Sequence, residues 1–99
     1  MATLYIDVDD TLVVWTADGE SWIANKAVIE FAKQWKGDIV VWSGGGLDYA
    51  QMWARRLLQS VKWVASPKFN PVVKDGDVFI DDSPFKAWEH ATIRPWELF

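Results

Sequence analysis

The 99-residue sequence predicts an α/β domain built on a small parallel sheet of four to five strands. Three observations lead there. Short apolar runs recur at Leu4-Tyr5-Ile6, Ile39-Val40-Val41-Trp42, residues 61–65 and Val78-Phe79-Ile80. Apolar residues at helical spacing fill the two gaps between the first three runs. Each run is followed by residues that carry chemistry. Strands alternating with helices fold as a parallel sheet joined by right-handed crossovers.

The first run delivers Asp7-Val8-Asp9-Asp10-Thr11. Side chains alternate along a strand, so Asp7 and Asp9 share a face if the strand continues. Two close carboxylates repel unless a cation or a shared proton relieves them, so this tip reads as part of a site. The competing reading is a turn or a helix cap, which acidic residues after a strand commonly form. Asp18-Gly19, between two β-prone runs, predicts a small hairpin. Ile23, Ala27, Val28, Phe31, Ala32 and Trp35 then recur at helical spacing, with Asn25 placed to cap the start and Gly37 to close the end. The second strand, 38–43, ends in the Ser43 hydroxyl and Gly44-Gly45-Gly46. Leu47, Ala50, Trp53, Ala54, Leu57 and Leu58 form the next helical stripe. The third strand, 61–65, precedes Ser66-Pro67-Lys68, and the loop to residue 77 is too proline-rich for a long helix. The fourth ends in Asp81-Asp82-Ser83. Residues 84–90 predict a short final helix, and the tail 93–99 packs back on the body.

Length and composition fit residues 1–99 as one globular domain, 51% hydrophobic and 24% charged. With no Cys, disulfides, thiolate metal sites and a cysteine nucleophile are excluded. That absence fits a reducing compartment. No apolar run reaches the roughly 18 residues of a membrane span, and no signal peptide is visible, so a cytoplasmic protein away from membranes is expected. A net charge of −4 argues against charge-driven nucleic-acid binding. The eight Trp are better spent on a small core than on base stacking. Trp35, Trp53 and Trp63 fall on core-facing positions. Trp15 and Trp22 flank the hairpin beside the acidic tip; pinning it to the body is favoured over touching a substrate.

Strand tips thus carry, in order, Asp-x-Asp-x-Thr, Ser, Lys and Asp-Asp. Open α/β sheets bind ligands at the carboxyl ends of their strands, and all four sets sit there. The order resembles the four motifs of the haloacid dehalogenase-like superfamily, most of whose members are phosphatases, and spans residues 4 to about 83. The resemblance implies a Rossmann-like three-layer sandwich with the first strand central. Neither position where that family inserts a cap domain has room for one here. It implies an open crevice suited to a large or polymeric phosphoester such as a nucleotide or polynucleotide phosphate. Specificity is then left to loops, a second copy of the chain or a partner protein.

The resemblance also implies roles. Asp7 is the nucleophile that forms an aspartyl-phosphate, and Asp9 the general acid and base. Magnesium is held by Asp7, the backbone carbonyl of Asp9, Asp81 and Asp82. Such a set of hard oxygen ligands suits that ion. Ser43 and the Gly44 N–H bind phosphate, Thr11 orients the Asp7 loop, and a lysine balances phosphoryl charge. Lys68 follows the third strand at the motif edge, whereas Lys74 precedes the fourth, so strand-edge geometry favours Lys68. Two other readings stand beside the enzyme: a receiver-like phosphoacceptor, whose motif order differs, and a non-catalytic phosphate- or metal-binding module.

Overall fold

The computed structural model describes residues 2–98. Its elements, in order, are β1 (Thr3–Asp7), β2 (Val13–Trp15), β3 (Trp22–Ala24), α1 (Lys26–Gln34), β4 (Asp38–Ser43), α2 (Leu47–Leu57), β5 (Val64–Pro67), β6 (Val78–Ile80) and β7 (Thr92–Ile93). Five strands form one sheet in the order β5-β4-β1-β6-β7, and every pairing is parallel. β2 and β3 form a separate antiparallel hairpin. Among the described residues no helix is long and apolar enough to cross a membrane.

Chain direction explains the layering. The steps β1→β4→β5 run outward, and each carries a helix. The connection from β5 to β6 then returns past β4 and β1. Right-handed crossovers put the outward and return connections on opposite faces. Leu4 and Ile6 of β1, with Ile39 and Val41 of β4, accordingly pack with Val28 and Ala32 of α1 and Ala50, Trp53 and Ala54 of α2. The other face carries Tyr5, Trp42 and Phe79 beneath Trp88. Tyr5 and Phe79 stack at 4.5 Å between ring centroids, and Trp42 and Trp88 meet at 4.5 Å. No regular helix covers this aromatic face among the described residues, so the third layer is made of loops and 3₁₀ turns.

Local signals behaved largely as their chemistry requires, but α1 ends at Gln34 with an extended Trp35 as its C-cap, two residues before the Gly37 expected to close it. The Asn25 side chain accepts the N–H groups of Ala27 and Val28 and caps α1. Ile23, expected on the α1 stripe, instead lies in β3 and points outward. The third strand is displaced to Val64–Pro67, because residues 61–63 close α2: Val61 N–H reaches the Leu58 carbonyl, as does Trp63 Nε1. The expected helix over 84–90 is replaced by turns and a 3₁₀ segment, Glu89–Ala91, whose bonds span three residues, as in Trp88 N–H to the Phe85 carbonyl. A proline start and a span barely two turns long leave too few i→i−4 bonds to sustain an α-helix. In the tail, Thr92–Ile93 adds a fifth strand beside β6, Leu98 packs on the core, and Phe99 lies outside the described residues.

Candidate functional site

The strand order reverses at β1, between β4 and β6, and that is where an open parallel sheet leaves a crevice at its carboxyl edge. Asp7 ends β1 and is only 6% exposed. Behind it the chain turns sharply. Thr11 N–H bonds the Val8 carbonyl, and Leu12 N–H bonds the Asp7 carbonyl. Asp10 takes up the left-handed backbone that this turn requires, φ 59°, a conformation Asp tolerates better than most residues. Buried Thr11 donates its hydroxyl to Asp7 Oδ2 at 3.1 Å, which fits the orienting role expected of it.

Lys68 completes the centre. Its N–H reaches the Ser43 carbonyl, one step beyond the β4–β5 register of Ser43 and Pro67. The ammonium then lies 3.0 Å from Asp7 Oδ1 and 2.9 Å from Asp81 Oδ2. The rings of Trp42, Phe85 and Trp88 surround it, each centroid 5.9 Å away. Lys74 sits at the opposite edge, where its N–H bonds Asp77. Asp81 is buried at the end of β6, its Oδ1 accepting the Ser83 N–H at 2.9 Å. Carboxylate oxygens of Asp7, Asp81 and Asp82 lie within 4.8 Å of one another, close enough to hold one cation together. The Asp9 carboxylate belongs elsewhere. Its Oδ1 accepts the Tyr49 hydroxyl at 2.6 Å and Trp15 Nε1 at 3.0 Å.

Charge follows from this crowding. Burial first, then the negative field of Asp81, pushes Asp7 up from 3.8 to about 7, although Lys68 pulls it down. Burial likewise raises Asp82. Lys68 is pulled down by burial, but its bond to Asp81 and the charge of Asp7 outweigh that and hold the ammonium above the usual lysine value. Burial and the bond to Asp9 push the Tyr49 phenol up to about 12, so it stays a donor at neutral pH. The one ammonium pairs with Asp7 and Asp81 while Asp82 lies beside them, an arrangement short of positive charge, and its all-oxygen donor set suits a hard divalent cation.

Ser43 is buried and accepts the Gly45 N–H at 2.9 Å, while its own O–H donates to no protein atom among the described residues. It does not cap α2, whose N-cap is Gly46. Of the three glycines, Gly46 is the one whose backbone, φ 102°, excludes side chains. Gly44 is exposed, and a Cβ there would meet nothing within 4 Å. Trp15 and Trp22 both pack edge-on against Trp53 of α2. Sequence reasoning missed Tyr49. The signal was its place in the first turn of the helix that follows a motif-bearing strand, which puts it at the same carboxyl edge.

A cavity of about 600 Å³ opens at the amino edge instead, lined by Thr3, Tyr5, Asp38, Lys62 and Trp63 among others. It gathers no cluster of facing acids like that at the carboxyl edge. No protein-family model, curated protein or solved structure matches the chain.

Proposed function

We propose that this chain is a magnesium-dependent phosphohydrolase of haloacid dehalogenase-like type that works through an aspartyl-phosphate on Asp7. The observation that carries the reading is Lys68 bridging Asp7 and Asp81 inside a cluster of three carboxylates at the switch point of a parallel sheet. A structural ion pair has no need of a third acid or of an idle hydroxyl at Ser43.

In the first step an Asp7 oxygen bonds to phosphorus as the bond from phosphorus to the leaving oxygen breaks, and Asp9 gives that oxygen a proton. In the second, water attacks the same phosphorus, Asp9 takes the water's proton, and inorganic phosphate leaves with Asp7 restored. Thr11 and Lys68 hold the two Asp7 oxygens in place. Lys68, the Ser43 hydroxyl and the Gly44 N–H take up charge on the phosphoryl oxygens. Asp7, Asp81 and Asp82, with the Asp9 carbonyl, would hold magnesium, whose charge offsets that of phosphate and carboxylates. Among the described residues, the hairpin and α1 fill the connection from β1 to β4, and α2 fills that from β4 to β5. An uncapped crevice of this kind admits large phosphoesters, nucleotide or polynucleotide phosphates among them.

The test is turnover of an aryl phosphate and of a panel of phosphorylated metabolites, nucleotides and oligonucleotides, with and without magnesium. Wild type should release phosphate only with the ion, and Asp7→Asn should be inert while folded. Full activity of Asp7→Asn would sink the assignment. Phosphorylation of Asp7 without release would make the chain a phosphoacceptor.

A further inference from the structure

Asp9 and Asp7 lie two residues apart, yet their surroundings differ in kind. Asp7 is buried among acids and an ammonium. Asp9 is exposed, and both neutral donors that reach it converge on one oxygen, Oδ1. The donors come from separate elements: Trp15 from the hairpin and Tyr49 from α2. Each is itself fixed by Trp53, a 3% exposed residue of α2. Trp15 meets it at 6.2 Å and 90°, Tyr49 at 6.4 Å and 75°. Surface carboxylates ordinarily swing through several rotamers, so two directed bonds on one oxygen define a single orientation.

We infer that Tyr49 and Trp15 are positioning residues that clamp Asp9 Oδ1, so that Oδ2 is presented to the leaving oxygen of the phosphoester. The inference rests on the proposed role of Asp9 as proton donor. With Oδ1 occupied, Oδ2 is the oxygen left to hand over the proton in the first step and to accept one from water in the second. The hairpin thereby acquires a function that needs no contact with substrate: it is one jaw of a clamp whose other jaw is α2. Proton transfer falls off steeply when donor and acceptor are misplaced, so a loosened carboxyl acts as a poorer acid without any loss of phosphate binding.

Leaving groups separate this role from a merely structural one. A nitrophenolate departs without a proton, whereas an alkoxide needs one. Tyr49→Phe keeps its ring and Trp15→Phe keeps an aromatic ring, smaller than the indole; each removes one donor. Each should lower kcat for an alkyl phosphate such as glycerol phosphate by roughly tenfold, part of the ~10²–10⁴ that a general acid supplies. Single-turnover release of 4-nitrophenolate, which reports the first step alone, and the affinity for both esters should hold. In an Asp9→Ala background the same two changes should cost nothing further on either ester, since the group they hold is gone. Equal losses in the first step on both esters, or undiminished losses in the Asp9→Ala background, would overturn the clamp. Absence of phosphate release from both esters by the wild type would overturn the phosphohydrolase reading, and the clamp with it.

Discussion

Asp7 and Asp77 are buried alike, each 6% exposed, at opposite edges of one sheet. Asp77 stands just before β6 and accepts two backbone N–H groups, from Thr3 and Lys74, both at 2.8 Å. It ties the start of the central strand to its neighbour, and its charge meets donors only. Asp7, at the far end of that strand, meets Lys68 and Thr11 but also Asp81 and Asp82. Equal burial thus produces a satisfied acid at one edge and a crowded one at the other. Crowding of this kind costs stability, and it persists where a site requires it.

The largest separation between the two should come from Asp7→Asn. Turnover should vanish while the apoprotein becomes more stable, because a neutral amide feels no repulsion from Asp81. The pH dependence has a definite sign. The folded-state value of Asp7, about 7, lies above its ordinary 3.8. Folding therefore favours the protonated form, and that stabilisation is whole below about pH 4 and lost as pH rises to about 7. Its full size is roughly 4 kcal/mol. Melting of the metal-free wild type should thus shift downward between about pH 4 and 7. Asp7→Asn should flatten this fall, and added magnesium should flatten it by binding the folded state alone. A wild-type melting temperature that rises over the same interval would show that the acids are relieved in some other way.

Lys68 and Lys74 sharpen the contrast, because each neighbours one of the two acids. Lys68→Ala should cost on the order of 10²–10³ in kcat, the size expected when a preorganised charge facing the transition state is removed. It should also lower the apoprotein's melting temperature by leaving three carboxylates without their ammonium. Lys74 gives Asp77 its backbone N–H, which Lys74→Ala retains, so neither turnover nor melting should change.

Much of this was legible in the chain. Aspartates after apolar runs, an alternating helix pattern and the Asp18-Gly19 hairpin are local signals, and local signals survive folding. Lys68 over Lys74 followed from strand direction alone. What escaped depended on contacts between distant segments. The third strand was misplaced because Val61 and Trp63 are β-prone, yet Trp63 is held back by the Leu58 carbonyl. The aromatic face needed no helix, because Trp88 covers Tyr5, Trp42 and Phe79 from a loop. Tyr49 carries no motif, and only the meeting of α2 with the turn after β1 brings it to Asp9, forty residues away.

Asp77 supplies the smallest effect and the cleanest control. Replacing it with Ala strands the N–H groups of Thr3 and Lys74, one of them inside the β1–β6 junction. An unsatisfied buried donor costs about 1–3 kcal/mol, partly recovered here if water enters at the sheet's edge. For a domain near this size each kcal/mol moves the melting temperature by roughly 4–8 °C. Asp77→Ala should therefore melt several degrees lower than wild type, and Asp77→Asn, which keeps one acceptor oxygen, should fall between them. Neither should alter kcat, since the carboxyl edge lies a full strand away and its register is set independently by the β1–β4 pairing from Thr3 to Asp7. The signs are thus opposite for two acids of equal burial: neutralising one strengthens the fold and ends turnover, and neutralising the other weakens the fold and leaves turnover intact. Loss of kcat in folded Asp77→Ala, measured well below its melting temperature, would show that the amino edge communicates with the site and that the division between the two ends of the sheet is wrong.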